Sequence, residues 1–353
     1  MRVVFTIPHM SLGGAQRVCY NLILWLQKNT NYEILLIIYS SNITGGVDFD
    51  LSAINHIYGD GNYLRRIKSE RNALKEFMPD VLISFGVPNT LFDVPSSLGI
   101  RTKRVVCERN DPAHFGGNFI TKHLSRILMR CADAYVFQTK DAQSFYGGNM
   151  AKHSEVIPNP LFNTENMPTR TASENREKVI VTAGRLNKQK NHPLLLRSFQ
   201  KIHEIHPEYS LIIYGEGPER LNDERLIKEL SIADRVSLPG ATTNVYDKLY
   251  KKALFVLSSD FEGMPNALME AMALGVPCIS TDCPCGGPRD IIDNGENGIL
   301  VPVGDEGKMA EAMLTIIENE EIANRISSSA YKVRDNYSMD IIARKWLDFI
   351  ENL

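Results

Sequence analysis

The sequence predicts an α/β protein made of two doubly wound parallel sheets, and three observations carry that expectation. Short β-branched runs alternate with amphipathic segments along the whole chain, the pattern of strand–helix–strand units. At 353 residues the chain exceeds the usual size of one hydrophobic core. A polar, aperiodic stretch from Asn163 to Glu177 divides it, and a new strand–helix alternation starts directly afterwards.

In the first half the pattern predicts strands at Val3–Ile7, Glu33–Tyr39, Val81–Phe85, Arg104–Cys107 and Ala134–Gln138. Helices are expected at Ala15–Lys28, Leu64–Phe77, Phe119–Cys131 and Lys140–Tyr146, with Val156-Ile157 as a last strand. The second half predicts strands at Lys178–Ala183, Ser210–Tyr214, Val236–Leu238, Phe255–Ser258, Cys278–Thr281 and Ile299–Val301. Its helices are expected at His192–Ile205, Glu219–Leu230, Asn244–Lys252, Ala267–Leu274, Lys308–Asn319 and Glu321–Tyr337, followed by Met339–Ile350. The expected division is a first domain over 1–163, a linker over 164–177, a second domain over 178–337 and a terminal helix over 338–353.

Composition excludes several function classes. Hydrophobic content of 43% and charged content of 23% are those of an ordinary globular enzyme, and a net charge of −3 gives no sign of nucleic-acid binding. Residues 1–160 carry 17 Lys and Arg against 13 Asp and Glu, so the remainder is the acidic part. That sign suits a first half that meets an anionic surface or a phosphorylated acceptor. The six cysteines read as free thiols of a reducing compartment, and Cys283-Pro284-Cys285 has no second pair or nearby His to make a zinc site. Asp48-Phe49-Asp50 matches a metal-binding acidic pair in its spacing alone, since its context is a polar loop. Met1 runs straight into a strand and no apolar run reaches eighteen residues, from which a cytoplasmic protein is expected.

The most informative stretch runs from Phe261 to Pro277. Glu262 and Glu270 flank a short apolar helix, with Pro265 expected at its first position, Gly275 just past its end and Pro277 as a stop. A helix N-terminus between two carboxylates offers backbone N–H groups to a phosphate and acceptors to sugar hydroxyls. Upstream, Thr182-Ala183-Gly184-Arg185-Leu186-Asn187-Lys188-Gln189-Lys190-Asn191-His192 follows an apolar strand, and Ser11-Leu12-Gly13-Gly14-Ala15-Gln16-Arg17 follows the first one. Each is a strand entering a loop with anion-binding groups.

These three motifs, in this order, resemble family 4 of the glycosyltransferases, retaining enzymes of the GT-B fold, over essentially the whole chain. The resemblance is to the bacterial branch that builds capsule, exopolysaccharide or O-antigen units. It implies two Rossmann-like domains facing across a cleft, the first for the acceptor and the second for a nucleotide-diphosphate sugar. It also implies that the terminal helix over 338–353, which carries the aromatic pair Trp346 and Phe349, crosses back to the first domain. Carried over residue by residue, Arg185 and Lys190 clamp the diphosphate, Glu270 binds the ribose and Glu262 lies near the donor sugar. Gly13 and Gly14 let backbone N–H groups approach the sugar-phosphate. Gly215 lies near the nucleotide, Gly240 in the loop that meets the base, and Gly263, Met264, Pro265 and Asn266 line the donor. No metal or other cofactor is implied. The donor is expected to be a UDP-sugar, with GDP and ADP as other choices, and the acceptor a polyprenyl-diphosphate-linked glycan.

At Cys107-Glu108-Arg109-Asn110-Asp111 the chain departs from the family, which often has a His there. Glu108 or Asp111 could orient the acceptor hydroxyl, Arg109 could pair with phosphate, or Glu108 and Arg109 could form a structural ion pair. Lys122, Arg126 and Arg130 recur at every fourth residue, a stripe that could rest on anionic lipid at the inner face of the plasma membrane. Leu64-Arg65-Arg66-Ile67-Lys68 is a second such segment. Two other readings remain open: a silent nucleotide-sugar-binding subunit of a partner transferase, and a UDP-sugar 2-epimerase on the same architecture.

Overall fold

The computed structural model describes residues 1–11, 13–40, 49–59, 61–114 and 118–353. Asp48, the first of the two aspartates in Asp48-Phe49-Asp50, lies outside them. The chain divides into two units, one of residues 1–160 with 339–353, the other of residues 161–338.

The first unit is a parallel sheet with helices on its faces. Its elements are β1 (Arg2–Ile7), α1 (Gly14–Asn29), β2 (Glu33–Ile38), β3 (His56–Tyr58), α2 (Tyr63–Phe77), β4 (Val81–Ser84), α3 (Thr90–Ser97), β5 (Lys103–Cys107), α4 (Phe119–Met129), β6 (Ala134–Phe137), α5 (Lys140–Tyr146), α6 (Gly148–Lys152) and β7 (Ser154–Val156). The strands are near-continuous apolar runs because both faces are covered, as parallel sheets require. Their order is β3-β2-β1-β4-β5-β6-β7, with Val3 beside Ile34 on one side and Val81 on the other. The chain therefore reverses its direction of winding between β1 and β4.

The second unit repeats the plan with β8 (Glu177–Ala183), α7 (His192–Ile205), β9 (Ser210–Tyr214), α8 (Arg220–Glu229), β10 (Val236–Gly240), α9 (Val245–Leu249), β11 (Lys252–Leu257), α10 (Asn266–Ala273), β12 (Cys278–Thr281), α11 (Gly287–Ile291), β13 (Ile299–Val301), α12 (Glu306–Glu318), α13 (Glu320–Tyr331) and α14 (Val333–Tyr337). The strand order β10-β9-β8-β11-β12-β13 puts the reversal between β8 and β11. Ile180 pairs there with Leu211 on one side and Leu254 on the other, and all three belong to the buried core under α7 and α12.

The last helix, α15 (Met339–Glu351), belongs to the first unit. Ile342, Trp346 and Ile350 recur at four-residue spacing and are buried. Trp346 stacks on Phe85 with ring centroids 6.1 Å apart, while Trp25 on α1 donates its indole N–H to Asp340 (3.1 Å).

Several elements differ from expectation. The stretch 164–177, expected as a linker, is fastened to the second unit. Arg176 donates to Thr171 O and Ser327 Oγ, and Arg334 donates to Pro168 O. Burial pulls the Arg176 guanidinium down to about 10. The helix expected over 321–337 breaks at Lys332 into α13 and α14, and α9 ends at Leu249 because Lys252 already opens β11. Strand β3 and helices α3, α6 and α11 were not predicted.

Candidate active site

Open α/β sheets bind ligands beyond the carboxyl ends of the strands where the winding reverses. In the second unit that place is set by the loops after β8 and β11, and the sequence puts Arg185, Lys190 and Glu262 on those two loops. They are laced together. Asp260 N–H donates to Gln189 O (2.8 Å), Asn191 Nδ2 to Asp260 Oδ1 (2.6 Å) and Ser258 Oγ to Lys190 O (2.8 Å). The loop after β12 closes the third side: Glu262 N–H donates to Pro284 O (2.8 Å), and Cys285 N–H to Glu262 O (3.1 Å).

At the centre Lys190 Nζ donates to Glu262 Oε1 at 2.6 Å. Ser259 Oγ donates to the same oxygen (2.6 Å), and Gln189 Nε2 approaches Oε2 (3.4 Å) while donating to Phe261 O (2.9 Å). Glu262 is 6% exposed. A carboxylate so covered is stable only because its charge and lone pairs are satisfied. The Lys190 stem runs close past Gly184, where an added methyl would lie 3.0 Å from its Cε. Burial and the neighbouring Glu262 charge push the Cys283 thiol up to about 12, so it stays protonated beside the pair. Ser259 and Gln189 were not singled out in the sequence. Their only signal there is proximity to Glu262 and Lys190.

Arg185 stands exposed on the same loop as Lys190. The glycines expected at the donor serve chain packing as well. A Cβ on Gly215, at φ +156°, would stand 1.8 Å from Gly184 O, and Gly215 N–H donates to Gly240 O (2.9 Å). Glu270 lies in the second turn of α10 with its side chain buried. Pro265 is the N-cap of that helix, one position earlier than expected, because its extended ψ of 100° lies outside the helical range. Gly263, Met264 and Pro265 are buried, whereas Asn266 is partly open. The far end is a Schellman turn, with Gly275 N–H to Met272 O (2.8 Å) and Val276 N–H to Ala271 O (3.0 Å).

The first unit carries its own set at the ends of its strands. Glu108 follows β5, is buried, and accepts from Tyr146 O–H (2.7 Å) and from the N–H groups of Arg109 (3.0 Å) and Asn110 (3.2 Å). Burial pushes its carboxyl up to about 7 against the lowering effect of those bonds. Arg109 lies over the Phe85 ring at 4.6 Å and donates to Asn159 Oδ1, while burial pulls it down to about 10. The two side chains thus face different partners. Asp111, also buried, pairs with His114 (2.8 Å). Gly13 is the N-cap of α1 at φ −174°, an extended backbone open to any residue, and Gly14 begins the helix exposed. Among the described residues no group of three or more His, Cys, Asp or Glu converges as metal ligands would.

Residues 163–333, nearly the whole second unit, match the family model described as Glycosyl transferases group 1. An uncharacterized glycosyltransferase of Methanocaldococcus jannaschii is 28% identical over 342 residues, covering 82% of this chain and 83% of the relative. A Campylobacter jejuni GalNAc-alpha-(1->4)-GalNAc-alpha-(1->3)-diNAcBac-PP-undecaprenol alpha-1,4-N-acetyl-D-galactosaminyltransferase is 24% identical over 363 residues, covering 99% of this chain and 98% of its own. Among solved structures, Anabaena Alr3699/HepE in complex with UDP and glucose superposes with a TM-score of 0.85, 17% identity and 100% of both chains covered. At that identity the likeness speaks for the fold, and the fold is the GT-B class expected from the sequence.

Proposed function

With residues 163–333 belonging to the glycosyl transferases group 1, the chain is a glycosyltransferase, and from this premise we propose that it moves a sugar from a UDP-sugar to a lipid-linked glycan with retention of anomeric configuration. The observation that carries the reading is the Lys190–Glu262 pair at the winding reversal of the second unit, with Arg185 on the same loop. Charge that grows on a departing diphosphate has to be met by fixed cations, and this loop supplies two. Arg185 offers a planar fork to phosphate oxygens. An ammonium has three donors, so Lys190 can keep Glu262 and still take a phosphate oxygen. Glu262 holds that lysine in place and turns its second oxygen to a sugar hydroxyl, and Glu270 takes the ribose.

The uridine nucleotide is assigned by analogy with the Anabaena protein, and the lipid-linked acceptor by analogy with the Campylobacter relative. The two lysine and arginine charges do the work given to a metal ion in other transferases, so the reaction needs no divalent cation. Glu108, whose carboxyl burial pushes up to about 7, is the residue assigned to the acceptor, and in a retaining transfer a departing phosphate oxygen takes the proton of the acceptor hydroxyl. By the same reading, an acceptor anchored in a membrane would be met at the membrane surface.

Turnover of UDP-sugars with a short polyprenyl-diphosphate glycan, in the presence of a chelator, tests this directly. Nuclear magnetic resonance of the product should show the donor's anomeric configuration kept. An inverted product, or transfer that stops in chelator, contradicts the mechanism; UDP-sugar binding without transfer to any glycan contradicts the enzyme reading.

A further inference from the structure

Lys122, Arg126 and Arg130 do not form one solvent-facing stripe along α4. Arg126 turns inward, donating to Pro112 O (2.6 Å) with its guanidinium 5.6 Å from the Phe145 ring centre. Ser125 and Met129 are the buried positions of the helix. The outward face is apolar: Phe119 is 83% exposed, Ile120 73%, Leu124 41% and Ile127 46%. Phe145 on α5, 52% exposed, extends it beyond Arg126. Single exposed hydrophobes are ordinary, but a row along one helix face is a patch that calls for a partner.

Charge decides which partner. From Asn118 to Ala132 the sequence has no Asp or Glu, while Lys122, His123, Arg126 and Arg130 border the apolar row. The most exposed pair, Phe119 and Ile120, forms the first turn of the helix, which Asn118 caps by accepting from Thr121 N–H (2.9 Å). The helix thus presents a capped apolar tip with a cationic border. Bulky apolar side chains over an acid-free basic rim match the interfacial zone of a bilayer: acyl chains beneath, anionic headgroups around.

We propose that the α4–α5 face of the first unit inserts into anionic lipid through Phe119, Ile120, Leu124, Ile127 and Phe145, with Lys122 and Arg130 taking headgroup phosphates. This names the membrane contact of the enzyme and rests on the lipid-linked acceptor reading for its purpose. The contact is by insertion of side chains, not by a basic stripe lying on the surface. Among the described residues no helix is long and apolar enough to cross a membrane.

Flotation of the full chain with vesicles of phosphatidylglycerol and phosphatidylcholine in equal parts, and with phosphatidylcholine alone, tests it. The wild type should float with the anionic vesicles only. Phe119→Ser/Ile120→Ser should weaken that binding by about tenfold or more, with thermal midpoint and UDP binding unchanged. Lys122→Glu/Arg130→Glu should weaken it too and flatten its salt dependence. Absence of vesicle binding by the wild type, or equal binding by the Ser double variant, overturns the inference. So does a dimer in ultracentrifugation that the Ser variant dissolves, which would make the face a contact between copies. UDP binding is read separately in the same samples, so failure of the donor reading is told apart from failure of this one.

Discussion

Lys190 and Glu262 share one contact at 2.6 Å, and removing either charge alone strands the other in a mostly covered place. Lys190→Met should cost about 3 kcal/mol of stability, the penalty of an unpaired buried carboxylate. Adding Glu262→Gln should return most of it, while donor binding stays lost in both; chemical denaturation and calorimetry separate the two effects. A second buried carboxylate group lies in the first unit. Asp93 accepts from Thr6 Oγ1 (2.9 Å), Ser84 Oγ and Tyr39 O–H, and Glu70 Oε2 lies 3.0 Å from that same phenol oxygen. One phenol proton cannot serve both, and two carboxylates so close and so buried cannot both stay charged. Burial, then the Asp93 charge, raise Glu70 well above the usual range. Stability from a raised acid is complete below its unfolded value of roughly 4 and is lost as pH climbs through the folded value. Glu70→Gln should therefore flatten the decline in thermal midpoint above that pH; an unchanged slope would place the titration elsewhere. Arg185 and Lys190 stood out in the sequence through the motif that carries the family resemblance, and the structure sets both on the loop after β8, with Lys190 against Glu262. Ser259 and Gln189 did not stand out, since what marks them is a partner carboxylate brought close only by sheet pairing.

The loops owe their shape to glycines that admit neighbouring backbone. A Cβ on Gly287 would stand 1.7 Å from Gly263 O, in the loop that carries Glu262. Gly287→Ala should push that loop away, lowering both thermal midpoint and turnover; full turnover would mean that the loop tolerates displacement. Most strands could be read from the sequence because a sheet covered on both faces writes itself as an apolar run, as in Val3-Val4-Phe5 or Ile180-Val181. Helix α3 could not, because Pro95 lies inside it and Ser and Thr make up its ends. Strand β3 escaped for a different reason: it has three residues and no buried face. The fracture at Lys332 had no sequence mark, since neither Gly nor Pro stands there.

At the scale of the molecule, the chain begins and ends in one unit. Trp346 is the largest fully buried side chain, and it joins α15 to Phe85 at the end of β4. Trp346→Ala should destabilise by about 3–5 kcal/mol, and denaturation followed at Trp25, the other tryptophan, should report the loss in the first unit. The resemblance implied a terminal helix that returns to the first domain; its apolar stripe alone would suit either core, and α15 belongs to the first unit. The sequence could not show that 164–177 is bound down, since Arg176 and Arg334 reach carbonyls far along the chain.

Everything proposed for the chemistry depends on the second unit being a nucleotide-sugar site built on Arg185, Lys190 and Glu262. Calorimetric titration of the intact chain with UDP, GDP and ADP in chelator tests it most directly. Micromolar UDP binding, about 8 kcal/mol, lost in folded Arg185→Ala and Lys190→Ala, is the predicted result. A folded wild type that binds none of the three, or variants that bind UDP as tightly as wild type, would contradict it.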